Sequence, residues 1–265
     1  MSTPDAWTAP LSTRDAPRAH ALALQAGADA ALTAALDDLV ALQEAVRARA
    51  YLQAHAHLTR YRADLDDTSD APTLWAHADP DALHAAVTAL QDVDGARITD
   101  PADLEARLAP ALENPWTRAE ALNVQGVLYA LGGDVTDARA AFQAALDLDA
   151  RHYRALTNLG NLDLEAGAYA DAERQYRAAL ALHKDYPGAH HNLAVALRKQ
   201  KRMGESLRSF KTGQRLAGRQ ERERTRVEMQ AQSGKLSGAL PRNRLVWIAG
   251  AAVVGVLLLR NLLGG

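Results

Sequence analysis

Apolar residues over 19–65 recur at helical spacing: Leu32, Leu36, Leu39, Val46 and Ala50 keep one stripe, and Leu58, Tyr61 and Leu65 continue it. Asp37, Asp38, Glu44, Arg47 and Arg49 take the other faces. A stripe with steps of three and four residues predicts an amphipathic helix. Gly27 is the only breaker in this stretch, so 19–65 reads as one long helix or a helical hairpin bent there. An alanine-rich seam leaves self-association through 19–65 open. Residues 66–72 (DDTSDAP) read as a loop. Asp79–Pro80–Asp81 and Thr99–Asp100–Pro101 put a capping acid before a proline, which starts a helix because the lost N–H has no partner there anyway. Helices are predicted over 82–91 and 102–112, closed by Asn114–Pro115, so 73–118 reads as a helix pair. Residues 1–18 carry prolines and no apolar run; they read as a disordered N-terminus and not as a signal peptide.

The pattern changes at the other end. Leu245–Leu259 is uncharged, and the apolar segment reaches Leu263. At a rise of about 1.5 Å per residue it approaches the roughly 30 Å of a bilayer core, which predicts a transmembrane helix over 245–263. Before it lies a basic neck, 221–244, with Ser233–Gly238 as a hinge. Residues 198–244 carry 14 basic and 4 acidic side chains, while 1–197 carry 15 and 28. By the positive-inside rule the chain would be a single-pass membrane protein with a cytoplasmic N-terminus, in bacteria at the inner membrane. The same basic neck supports an alternative, a binder of nucleic acid or another anionic surface, although it lacks the interleaved aromatics of nucleic-acid grooves.

From residue 119 a period of 34 appears, over 119–152, 153–186 and 187–220. The eighth positions hold Gly126, Gly160 and Ala194; the twentieth, Ala138, Ala172 and Ser206. The twenty-fourth hold Phe142, Tyr176 and Phe210; the twenty-seventh, Ala145, Ala179 and Gly213. This pattern resembles the tetratricopeptide repeat family. The resemblance implies an all-α, right-handed solenoid of helix pairs, preceded by the long helix or hairpin and followed by the transmembrane helix. Small residues at the eighth and twentieth positions would let two helices of a unit approach, with the aromatic filling the groove between units. In the third unit Lys201–Arg202 replace the glycine-containing turn, and the pair over 73–118 would be a degenerate fourth unit.

Chemistry adds little. Cysteine is absent, which removes disulfides, thiolate metal sites and cysteine nucleophiles. No phosphate-binding loop, nucleophile elbow or metalloprotease helix occurs, so neither enzyme activity nor a cofactor or metal is expected. His183, His190 and His191 cluster in sequence near a repeat junction but read as packing or solvated residues.

The resemblance instead implies a partner-binding groove lined by the first helix of each unit. Here that face would hold Glu120, Asn123, Val127 and Leu131, then Arg154, Thr157, Asn158, Asn161 and Glu165, then His191, Asn192, Val195, Arg198 and Lys199. Asn158 and Asn192, both at sixth positions, would bind the backbone of an extended peptide or satisfy local backbone groups. A clamp for a C-terminal carboxylate is incomplete, because Asn123 and Gly188 stand where it needs lysines. The groove runs from Glu120 to the basic Arg198 and Lys199 and so favours a polar or acidic segment. The function implied is a tail-anchored adaptor or scaffold gripping an extended protein segment, the alternatives being the anionic-surface binder or a regulatory subunit of a membrane enzyme complex.

Overall fold

The computed structural model describes residues 6–96 and 98–239. The chain divides into two units, 1–213 and 214–265, and its described residues are helices and short connections with no strand. The helices are α1 (Thr8–Ser12), α2 (Ala16–Ala26), α3 (Ala30–Ala48), α4 (Tyr51–Asp67), α5 (Ala71–His77), α6 (Pro80–Val93), α7 (Pro101–Glu113), α8 (Arg118–Gly132), α9 (Val135–Leu148), α10 (Tyr153–Glu165), α11 (Tyr169–Leu182), α12 (Pro187–Lys199) and α13 (Met203–Ala239).

The first unit is a chain of antiparallel pairs, α3 with α4, α6 with α7, α8 with α9 and α10 with α11, each packed on the next. Its largest core runs from Trp7 into the start of the first 34-residue repeat, at Ala121. Smaller clusters, built on Phe142, Tyr176 and Tyr153, link the later pairs. This is the pattern of a repeat array, in which a pair buries its apolar face only against its neighbours.

Local signals explain most boundaries. The Asp79 side chain accepts from the N–H groups of Asp81 and Ala82, and Asp100 accepts from Ala102. Gly27 closes α2 at φ +71°. The stripe over 19–65 breaks a second time, at Arg49, which takes φ +58° to end α3. An arginine in that conformation is disfavoured, and its ion pairs, described below, hold it there.

Three expectations for the N-terminal half need correction. Residues 8–18 are not disordered: Trp7 and Leu11 are buried in the main core, and Asp15 caps α2. The loop over 66–72 ends early, in α5, whose C-terminal end is held by distant donors. Tyr61 donates to the Ala78 carbonyl at 2.9 Å, and Trp116 Nε1 to that of His77 at 2.8 Å. The bend at Gly27 separates α2 from α3, whereas the tight hairpin turns at Arg49–Ala50, between α3 and α4.

Among the described residues no helix is long and apolar enough to cross a membrane. This finding overturns the expected placement as a single-pass protein with a cytoplasmic N-terminus at a bacterial inner membrane. Even α13, at 37 residues, is rich in arginine, glutamate and glutamine. The span expected at 245–263 lies outside the described residues. Ser233–Gly238, read as a hinge, is part of α13.

Candidate functional site

Three helices of the repeats, α8, α10 and α12, lie side by side: α10 touches both α8 and α12. They hold all the residues expected to face a partner. The turns that return the chain to each next helix fix this stacking. Gly133 and Gly167 stand at equivalent positions and take φ +89° and +78°. Lys201 occupies the same position in the third unit at φ +64°, where a side chain is strained.

Inside each unit the eighth position meets the aromatic at the twenty-fourth. A Cβ on Gly126 would come within 2.6 Å of the Phe142 ring, and one on Gly160 within 2.6 Å of the Tyr176 ring. The aromatics therefore pack on the glycine of their own unit and also reach the next one, Phe142 clustering with Leu159 and Leu162 and Tyr176 with Leu193 and Leu197. Ala138, Ala145, Ala172 and Ala179 are wholly buried. The third unit departs because Ala194 carries the Cβ that the others lack. Phe210 is 37 % exposed and lies near His191, at 5.9 Å between ring centres. Ser206 remains compatible with burial by donating to the Ala194 carbonyl at 2.7 Å. Gly213 is buried close to His190 and Pro187.

The asparagines bridge neighbouring helices. Asn158 Nδ2 donates to Asn123 Oδ1 at 2.8 Å, and Asn192 Nδ2 donates to Asn161 Oδ1 at 2.7 Å. Asn161 Oδ1 also accepts the Tyr176 hydroxyl at 2.9 Å. Asn158 and Asn192 thus keep their amide oxygens unused and Asn161 its amide donors. Glu120, Asn123 and Thr157 are buried, at 1 %, 0 % and 3 % exposure, so their expected place on the groove surface is corrected. Asn123 reaches inward to Glu120 at 3.3 Å, and the Thr157 hydroxyl donates to the Tyr153 carbonyl. Arg154, Asn158, Asn161, Asn192, Val127 and Val195 are half-buried, whereas Glu165, His191, Arg198 and Lys199 are exposed. The Arg154 guanidinium lies over the Tyr186 ring, 5.7 Å from its centre.

Val127 belongs to a different environment from the asparagines. With Val124, Leu128 and the 81 % exposed Leu131, it faces Leu90 and Leu104 of the preceding pair across a cavity of about 170 Å³. Along these three helices the expected partner-facing side chains are therefore apolar at the end of α8, polar on α10 and basic at the end of α12.

Beneath this face lies a charged centre that the sequence did not disclose. Glu120 is 1 % exposed. Its carboxylate is 2.6 Å from Arg49 Nε and 2.9 Å from His152 Nε2, while His152 Nδ1 accepts the Ala155 N–H to cap α10. Burial pushes the Glu120 carboxyl up, but Arg49, His152 and Arg154 outweigh it and hold it below the usual carboxylate range. Beside it Arg47 is 2.5 Å from Asp149. These pairs join α3 and its C-terminal turn to the repeats across 71 and 102 residues of sequence, a separation that leaves no local signal. They border a cavity of about 220 Å³.

The three histidines are spent separately. The His183 ring packs on Tyr153, His190 Nε2 lies 2.9 Å from the Lys184 carbonyl, and His191 neighbours Phe210. Among the described residues no group of three or more His, Asp or Glu could hold a metal ion.

These observations define an all-helical protein with a tetratricopeptide-type repeat fold. No protein-family model matches the chain, and no curated protein does. Among solved structures, one crystal structure of MamA is 20 % identical, with a TM-score of 0.43, over 62 % of this chain and 94 % of that one. A second MamA structure is 16 % identical, with a TM-score of 0.41, over 71 % of this chain and 94 % of that one.

Proposed function

We propose that this protein is an interaction scaffold that holds an extended protein segment along the inner face of α8, α10 and α12. The observation that carries this reading is the set of hydrogen-bonding groups left over once the asparagine bridges are made. Asn158 and Asn192 offer amide oxygens and Asn161 offers amide donors, and an extended backbone presents both complements. Exposed Arg198 and Lys199 at the end of α12 add attraction for carboxylates. Nothing in this reading requires turnover, a cofactor or a metal.

Selection of random twelve-residue peptides against the immobilised full-length chain tests it. Peptides that bind should lose most of their affinity for a chain carrying Arg198→Glu and Lys199→Glu. They should keep it for Arg174→Glu, at an exposed position of α11. Equal binding to all three, or failure to select any peptide, refutes the reading.

A further inference from the structure

Resting on the proposed interaction face, we infer that its ligand is a polyproline-II-like segment with an apolar, a basic and an acidic side chain at every third residue. The thirteenth position of successive units carries Leu131, Glu165 and Lys199. All three are exposed, and each ends its inner helix or lies within two residues of that end. They therefore form a row along one edge of the face, and the row changes character at each step.

The first member is the apolar subsite. Leu131 is among the most exposed large hydrophobic residues described, and it stands at the mouth of the cavity floored by Leu90, Val93, Ile98 and Leu104. At about 170 Å³ the space suits a leucine, isoleucine or methionine side chain. A leucine kept in water beside a cavity lined mostly by apolar residues, with Arg49 and Asp94 among the rest, gains from any partner that covers both. The second member, Glu165, and the third, Lys199 with its neighbour Arg198, form no ion pair among the described residues. Basic residues also suit the last turn of a helix through its dipole, so the charges alone would be weak evidence. The apolar subsite at the opposite end of the row gives the pattern its direction.

Spacing selects the ligand's conformation. Packed helices lie roughly 8–10 Å apart, and α10 touches both neighbours. A polyproline-II chain advances about 3.1 Å per residue with three residues per turn, so every third side chain recurs on one face after about 9 Å. A β-strand, with a period of two, would turn its third residue away. Such a segment also leaves its backbone groups unpaired, free to meet the unused groups of Asn158, Asn161 and Asn192.

The test uses fluorescein-labelled synthetic peptides, Leu, Lys and Glu at every third position on a proline–serine background, made in both chain directions. The controls exchange Lys with Glu or replace Leu by Ser. With the full-length chain, fluorescence anisotropy should show the matched peptide, in one direction, binding about ten-fold or more tightly than either control. Leu131→Asp should remove the advantage of Leu over Ser. Lys199→Glu with Arg198→Glu should reverse the preference between matched and exchanged charges. Circular dichroism of each variant should match the wild type, since all three side chains are exposed. Equal binding of matched and exchanged peptides, no binding of any, or no effect of Leu131→Asp overturns the inference. If the selected twelve-residue peptides still depend on Arg198 and Lys199, only the ligand pattern has failed. If they do not, the interaction face itself is wrong.

Discussion

Gly160→Ala adds one methyl group at the tightest point of the second repeat. Its Cβ would sit 2.6 Å from Tyr176 Cε1, 3.0 Å from Cδ1 and 3.1 Å from Cζ, well inside the 3.5–4.0 Å of favourable carbon contacts. The ring cannot easily yield. Tyr176 is wholly buried, and its hydroxyl is held at 2.9 Å by Asn161, which also receives Asn192. Displacing the ring would strain both bonds. Two terms oppose each other: alanine in place of a helical glycine gains about 1 kcal/mol from propensity, and forced overpacking costs about 1–3 kcal/mol. We expect a net loss of up to about 2 kcal/mol, equivalent to a melting temperature lower by roughly 2–4 °C per kcal/mol for a chain of this size. Gly204→Ala is the control, because nothing lies within 4 Å of a Cβ there; it should be neutral or stabilising. Thermal unfolding followed by far-ultraviolet circular dichroism measures both. In the double variant with Tyr176→Leu the alanine should cost less than in the wild-type background. A Gly160→Ala chain that melts with or above Gly204→Ala would refute the packing of glycine against ring.

Other expectations follow from the same structure. Glu120→Gln leaves Arg49 without its closest carboxylate partner, and urea unfolding should show a loss of about 2–4 kcal/mol, given the partial exposure of the arginine. Because the Glu120 carboxyl is held below its usual range, its contribution is in place above the unfolded value of about pH 4.3 and is lost as the pH falls through that value towards the lower folded one. Glu120→Gln should therefore flatten the acid limb of a stability–pH curve. Asn158→Ala should cost about 1–3 kcal/mol, since it strips the partner from fully buried Asn123 Oδ1; an unchanged urea midpoint would show that the bridge is not formed. Lys201→Gly should raise the melting temperature, by relieving a left-handed side chain where the other two turns already have glycine. No rise would show that the turn is unstrained.

Much of the repeat region was legible in the sequence because its contacts are local. Gly126 with Phe142 and Gly160 with Tyr176 are each 16 residues apart, within one helix pair, and the 34-residue period repeats that pairing. Caps at Asp79 and Asp100 were readable for the same reason: donor and acceptor lie two or three residues apart. The candidate face was legible as a set of positions but not as a surface. Burial removed Asn123 and Thr157 from it, because whether a polar side chain turns inward depends on what waits there, in their cases Glu120 and a carbonyl of the same helix.

The sequence by itself determined the 34-residue period of the repeats and the helix starts at Asp79 and Asp100. Tertiary structure decided the rest. It placed Trp7 and Leu11 in the largest core, where no periodic signal marks them. It anchored the C-terminal end of α5 by bringing Tyr61 to the Ala78 carbonyl and Trp116 to that of His77. It also brought Arg49 to Glu120 and Arg47 to Asp149 across 71 and 102 residues. A buried charge is tolerated only where its partner is already in place, and that condition is set by how the helices stack, not by the residues beside it in the chain.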